Sequence, residues 1–236
     1  MTTLLIATRN AHKVGEIRAI LGAQFQFLTL NDFHDAPKVI EDADTFAGNA
    51  AKKGVELAKW LLQDESGKRK AESGNIFVLA DDSGLEVDAL NGAPGVHSAR
   101  FAALDRSADG GSSAGNTPDA DNNAKLLRLL KDVSVEKRAA RFHCVIALVG
   151  VPEEKIEVAS PVCYADEFEP RTFDGVCEGR ILFEPRGKNG FGYDPLFVPV
   201  GYEQTFAELG EDVKNKLSHR AKALGKLKKY FGNKNR

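Results

Sequence analysis

The stretch that most constrains the fold is Ile76-Phe77-Val78-Leu79-Ala80, followed at once by Asp81-Asp82-Ser83-Gly84. Five apolar residues with no polar face read as a strand buried on both sides, as in a sheet covered by helices. The run then stops at two carboxylates and a hydroxyl. Such groups are costly at the end of a buried strand unless something satisfies them, and in open α/β sheets ligands bind beyond the carboxyl ends of strands. Neighbouring strand residues point to opposite faces, so Asp81 and Asp82 do not read as a proton-sharing pair; one is expected to be structural and the other to face a ligand. Leu85, Val87 and Ala89 then alternate with Glu86, Asp88 and Leu90 as in a half-exposed strand. Residues 91–95 are a turn cluster, and Arg100 lies within reach of an anionic ligand. A strand, a polar turn and a hairpin without a ligand would look the same, so this stretch alone leaves both readings open.

The N-terminal region repeats the theme. Leu4-Leu5-Ile6-Ala7 is a short buried strand, and Val14, Ile17 and Leu21 recur at helical spacing until Gly22 ends the run. Between them lies Thr8-Arg9-Asn10-Ala11-His12-Lys13. Asn10 is a natural helix cap, and a loop feeding a helix N-terminus suits a phosphate. Lys13 adds a point charge. The loop is neither a Walker motif nor a dinucleotide fingerprint, and many strand–helix turns carry Thr, Asn and Lys with no ligand.

Residues 25–30 form a second strand candidate, and 31–44 an acidic stretch with Glu41, Asp42 and Asp44 that reads by itself as solvated surface. Thr45 caps a helix whose stripe is Phe46, Ala50, Gly54, Leu57 and Leu61. Lys52 and Lys53 sit early in it, where the dipole disfavours cations; an anionic partner or a plain solvated face both account for them. Loops are expected near 64–75 and 104–121, the second mobile and rich in Gly and Ser, with a short helix at 124–130. Residues 139–150 alternate cleanly, Cys144 facing the core and His143 opposite. Further strands are expected at 156–165 and 180–183, as long antiparallel strands rather than more βαβ units. Residues 185–195 pack three glycines, two aromatics and several charges into one loop, where Phe191 could stack on a base or the aromatics could fold inward. Finally Leu217, Ala221, Leu224 and Leu227 share one stripe of a basic C-terminal helix, near Lys214, His219 and Arg220.

Composition narrows the function classes. A net charge of −2 over 236 residues gives no global electrostatic case for nucleic-acid binding. Three scattered cysteines, Cys144, Cys163 and Cys177, form no zinc spacing and suggest reduced thiols in a cytoplasmic compartment. No apolar run is long enough for a transmembrane helix, and MTTLLIATRN lacks the pattern of a signal peptide.

Taken together, six stretches in order resemble the inosine triphosphate pyrophosphatase family, house-cleaning enzymes that hydrolyse ITP and XTP. They are TRNAHKVGE, TFAGNAAKK, ADDSGLEVDALNGAPGVHSARF, RFHCVIAL, PRGKNGFGYDPLF and SHRAKAL, and they span almost the whole chain. The resemblance implies an α/β fold, a long mixed sheet with flanking helices and two lobes around a nucleotide cleft, in one catalytic domain over residues 1–236. It implies that Thr8, Arg9, Asn10, Ala11, His12 and Lys13 hold the triphosphate and that Lys53 points to the phosphates. Asp82 would be the general base and a metal-associated acid, with Glu41 as the second and Ser83 on the substrate. Phe191, Gly192, Tyr193, Asp194, Lys214, His219 and Arg220 would form the base pocket. Mg2+ is the implied cofactor, a nucleoside triphosphate the substrate and a homodimer the implied assembly, with no nucleic-acid or membrane partner. Two positions depart from the family pattern: Arg9 stands where a glycine is frequent, and Gly48 where a glutamate usually precedes Asn-Ala. A Maf-type pyrophosphatase with other base preferences and a non-catalytic nucleotide sensor are the rival readings.

Overall fold

The computed structural model describes residues 1–63, 75–105, 116–152 and 168–234. Six strands form one mixed sheet, β1 (Thr2–Ile6), β2 (Phe25–Thr29), β3 (Ile76–Val87), β4 (Ala139–Val151), β5 (Arg171–Ile181) and β6 (Phe197–Pro199), in the order β2-β1-β3-β4-β5-β6. The helices are α1 (Ala11–Leu21), α2 (Phe46–Gln63), α3 (Asp119–Leu129), α4 (Phe206–Leu209), α5 (Glu211–Leu217) and α6 (His219–Lys234). The chain divides into two compact units. The first is Met1–Asp82, Val145–Asp174 and Ala223–Arg236; the second is Ser83–Cys144 and Gly175–Lys222. Strands β3, β4 and β5 and helix α6 each begin in one unit and end in the other.

In the first unit β1 pairs in parallel with both β2 and β3, with Thr3 opposite Gln26 and Ile76. Leu4, Leu5, Ile6, Val78, Leu79 and Ala80 are fully or almost fully buried, as the unbroken apolar runs predict; each large side chain contributes about 1.5–3 kcal/mol through burial. Helix α2 approaches the sheet at Gly54, where a Cβ would lie 2.9 Å from Val149 Cγ2 and 3.6 Å from Ala80 Cβ. A glycine in this stripe brings the helix backbone, and with it Lys53, close to β3.

In the second unit β5 and β6 pair antiparallel. The core gathers Leu85, Val87, Phe142, Phe197, Phe206 and Tyr193. The alternation of β4 holds only here: from Val145 to Val149 every residue is buried, because that half of the strand belongs to the first unit and is covered on both faces.

Several elements differ from the sequence reading. Strand β3 does not stop at Asp81 but runs on to Val87, with the Asp81 carboxylate paired to Lys13. Ala89 falls in a 3-10 turn, Asp88–Leu90, rather than on a strand. Helix α3 starts five residues before the expected 124, with Asp119 and Asp121 in a first turn where carboxylates suit the dipole. Strand β5 starts well before residue 180, and β6 and α4 carry no strong periodic signal. The C-terminal helix breaks at Ser218, whose ψ of 162 leaves Leu217 on α5 instead of on the stripe of α6. The expected strand at 156–165, the Cys163 thiol, and most of the loops at 64–75 and 104–121 lie outside the described residues. Among the described residues no helix is long and apolar enough to cross a membrane.

Candidate active site

In the first unit, Asn10 caps α1 as its residue type predicts. Its side chain accepts the N–H groups of His12 and Lys13 at 2.9 and 3.2 Å, and Thr8 Oγ1 accepts the Asn10 N–H at 3.1 Å. Two amides expected to await an anion are therefore engaged by the cap itself. The terminus still offers its dipole and Lys13. Arg9, Asn10, Ala11 and His12 are exposed, while Thr8 and Lys13 are half-buried. The Arg9 guanidinium donates to the Phe33 carbonyl at 3.4 Å.

Lys13 forms an ion pair with Asp81, whose side chain is almost fully buried. Asp81 thus holds Lys13, and Asp82, the next residue of the strand, faces the opposite side of the sheet. Lys53 bridges two elements, donating to Glu41 Oε1 at 2.5 Å and to the Asp81 carbonyl at 2.8 Å. Asn49 pins the acidic stretch over the start of α2, its Oδ1 accepting the Ala43 N–H at 2.9 Å, while Thr45 Oγ1 accepts the Gly48 N–H at 3.0 Å. A Cβ on residue 48 would lie 2.8 Å from Ala43 Cβ. The glutamate frequent in the family has no room here unless this segment gives way.

Asp82 is buried, and its carboxyl is pushed up to about 6. Burial is the main cause; the charges of Lys53 and Lys13 pull the other way, and that of Glu41 adds to the rise. A carboxylate tuned toward neutrality is suited to take a proton from water. Glu41 and Asp82 are hard oxygen donors near enough to feel each other's charge, which fits a magnesium ion that uses one or two carboxylates and completes its shell with water and phosphate. Among the described residues no group of three or more His, Cys, Asp or Glu side chains gathers as a metal cage; the fit rests on these two acids.

The second unit holds the other candidates. Arg220 donates to Ser83 Oγ at 2.9 Å. Lys214 Nζ lies 4.3 Å from the centroid of the Phe191 ring, and Arg220 Cζ 5.9 Å from it. Asp194 Oδ2 accepts both Lys214 Nζ at 2.6 Å and the Phe191 N–H at 2.9 Å. This buried ion pair locks the turn that presents Phe191. Gly190, at φ 78, admits no side chain, since a Cβ would overlap the Asp194 carboxylate. His219 stacks on Phe142 with ring centroids 4.8 Å apart. Tyr193 turns into the core and donates its hydroxyl to the Ser98 carbonyl at 2.9 Å. Arg100 sits at a kink in the 3-10 segment Gly95–Asp105.

The structure thus gathers Lys13, Glu41, Lys53, Asp81 and Asp82 in one unit, and Ser83, Phe191, Asp194, Lys214, His219 and Arg220 in the other. A profile of the Ham1 family matches residues 4–230. The chain belongs to the Ham1 family. It is 42% identical over 233 residues to a dITP/XTP pyrophosphatase of Geobacter sulfurreducens, covering 98% of each chain. Against the dITP/XTP pyrophosphatase of Shouchella clausii it is 40% identical over 228 residues, 97% of this chain and 96% of that protein. Among solved structures, a HAM1 protein from Coxiella burnetii superposes with a TM-score of 0.74 at 35% identity, over 99% of this chain and all of that one. A nucleoside-triphosphatase / dITP/XTP pyrophosphatase from Mycobacterium abscessus gives 0.65 at 35% identity, over 95% and 98%.

Sequence reading missed Asn49 as the residue that ties the acidic stretch to α2 through the Ala43 N–H, although it lies in the quoted TFAGNAAKK stretch. It also missed that Asp81 and Lys13 pair across 68 residues, for which no local signal exists.

Proposed function

We propose that this Ham1-family chain hydrolyses ITP, dITP and XTP to the nucleoside monophosphate and pyrophosphate, removing non-standard purines from the nucleotide pool. The observation that carries the reading is Asp82: a buried carboxyl pushed up to about 6, flanked by two lysines and a second acid, in a chain about 40% identical to dITP/XTP pyrophosphatases. A triphosphate carries about four negative charges, which must be offset before water can attack. Lys13, held by Asp81, and Lys53 supply fixed positive charge, and the α1 N-terminus supplies its dipole. Magnesium, held by Asp82 and Glu41, would offset charge on the phosphate oxygens. Asp82 takes the proton of the attacking water.

The second unit supplies base recognition. Phe191 offers a stacking face, worth about 1–3 kcal/mol per base. Arg220 carries donors that pair with a 6-oxo group and not with a 6-amino group; a buried donor left unpaired by adenine costs about 1–3 kcal/mol. In this reading Thr8 to His12 serve the triphosphate, and Ser83, Gly192, Asp194, Lys214 and His219 serve the base, with Tyr193 supporting their turn from the core. We take residues 1–236 to act as one catalytic domain, working as a cytoplasmic homodimer. The deciding experiment is magnesium-dependent turnover of ITP, XTP, GTP and ATP, scored for pyrophosphate against orthophosphate, beside Asp82→Asn. Pyrophosphate release favouring ITP and XTP, lost in the variant, is expected. Nucleotide binding without turnover would replace this reading with a sensor, and orthophosphate release would mean a different bond is cut.

A further inference from the structure

The loop that presents Phe191 is gripped from a helix to which the reaction assigns no role. Asp119 and Asn123 stand one turn apart on α3, so both project from the same face. Together they hold a single residue. Asp119 Oδ2 accepts the Gly192 N–H at 2.6 Å, and Asn123 Nδ2 donates to the Gly192 carbonyl at 3.0 Å. Gly192 adopts φ 63, and a Cβ there would meet nothing within 4 Å. Its backbone is therefore fixed from the α3 side and open where a side chain would project.

Asn123 bears this grip at a local cost. Its Oδ1 is enclosed and has no hydrogen-bond partner among the described residues. A leucine of similar size would avoid that unpaired acceptor, so stability alone does not explain an amide here. The bond to Gly192 does. On the other side of the turn, Asp194 holds the Phe191 N–H. The backbone beside the ring is thus fixed at two neighbouring residues, at one by the turn itself and at the other by α3.

We propose that Asp119 and Asn123 are positioning residues that set the orientation of Phe191 for stacking on the purine. This rests on the function proposed above. The expected signature is weaker nucleotide binding with intact chemistry. Asn123→Leu and Asp119→Ala should each raise KM for ITP about five- to tenfold, the loss of one hydrogen bond, with kcat within about twofold of wild type. Asp119→Asn retains an oxygen that can accept the Gly192 N–H, so its KM should return to within about threefold of wild type. The same proteins are titrated with IMP by calorimetry, where Kd should follow KM. Unchanged KM and Kd in folded Asn123→Leu and Asp119→Ala would overturn the proposal. So would an Asp119→Asn variant as impaired as Asp119→Ala, or a fall in kcat with KM unmoved. IMP binding by a wild-type protein that turns over no triphosphate would overturn the catalytic reading, while the Kd series still decides the clamp.

Discussion

Replacing Asp82 with Asn should abolish turnover and, at the same time, stabilise the protein in a pH-dependent way. The Asp82 carboxyl is pushed up to about 6 from an ordinary 3.8, mainly by burial. Because the folded state binds this proton more tightly than the unfolded chain, ionisation of Asp82 favours unfolding. The penalty is absent well below pH 3.8, grows between the two values, and is constant above pH 6. At 1.36 kcal/mol per unit, it amounts to about 3 kcal/mol at pH 8 and roughly half that at pH 5. Asparagine keeps the shape without the charge, and in the variant Lys13 and Lys53 keep Asp81 and Glu41 as partners. For a chain of this length 1 kcal/mol corresponds to about 2–4 °C. The melting temperature of Asp82→Asn should therefore exceed that of wild type by roughly 6–12 °C at pH 8 and by about half as much at pH 5. Thermal unfolding of both proteins in EDTA across this range measures it. A difference that stays flat or shrinks as pH rises would refute the reasoning, because it would mean that Asp82 is not held against its charge.

Three further perturbations test other parts of the structure. Gly48→Glu restores the residue frequent in the family but brings a Cβ within 2.8 Å of Ala43; urea unfolding should show a net loss of about 1–2 kcal/mol, and equal stability would show that the segment yields freely. Lys214→Met leaves Asp194 buried without its ammonium and should cost about 3–5 kcal/mol, with Lys214→Met/Asp194→Asn regaining a clear part of the loss by chemical denaturation. Arg138→Leu strands the carbonyls of Val133 and Leu182, now bonded at 3.0 and 2.9 Å, and takes one of two donors from that of Leu130; a loss of about 2 kcal/mol or more is expected, and one below about 1 kcal/mol would mean that water replaces the guanidinium.

Much of the architecture is local in origin and could be read from the residues. The apolar runs of β1 and β3, the Asn10 and Thr45 caps, the Gly22 stop and the 91–95 turn each rest on neighbours within a few positions. The chemically loaded stretches around Lys13, Asp82 and Phe191 were legible too, because unsatisfied charge and glycine-rich loops stand out against an ordinary composition. The six ordered motifs then pointed to the family. Element ends were less legible. The β3 strand passes through two aspartates, one of them held by Lys13 far along the chain, and the C-terminal helix breaks at Ser218, whose hydroxyl accepts the Ala221 N–H.

What the sequence determined by itself is the apolar runs that form the buried strands, the caps of α1 and α2 and the kinds of charged side chain the chain carries. Only the tertiary structure decided that Lys13 belongs to Asp81, that Lys53 ties Glu41 to β3, that Tyr193 is core while Phe191 stays half-buried against Lys214, and that α3 grips Gly192. The physical reason is range. Propensity, capping and burial act over a few residues and leave a periodic trace, whereas an ion pair or a backbone clamp between distant elements exists only once packing has brought them together.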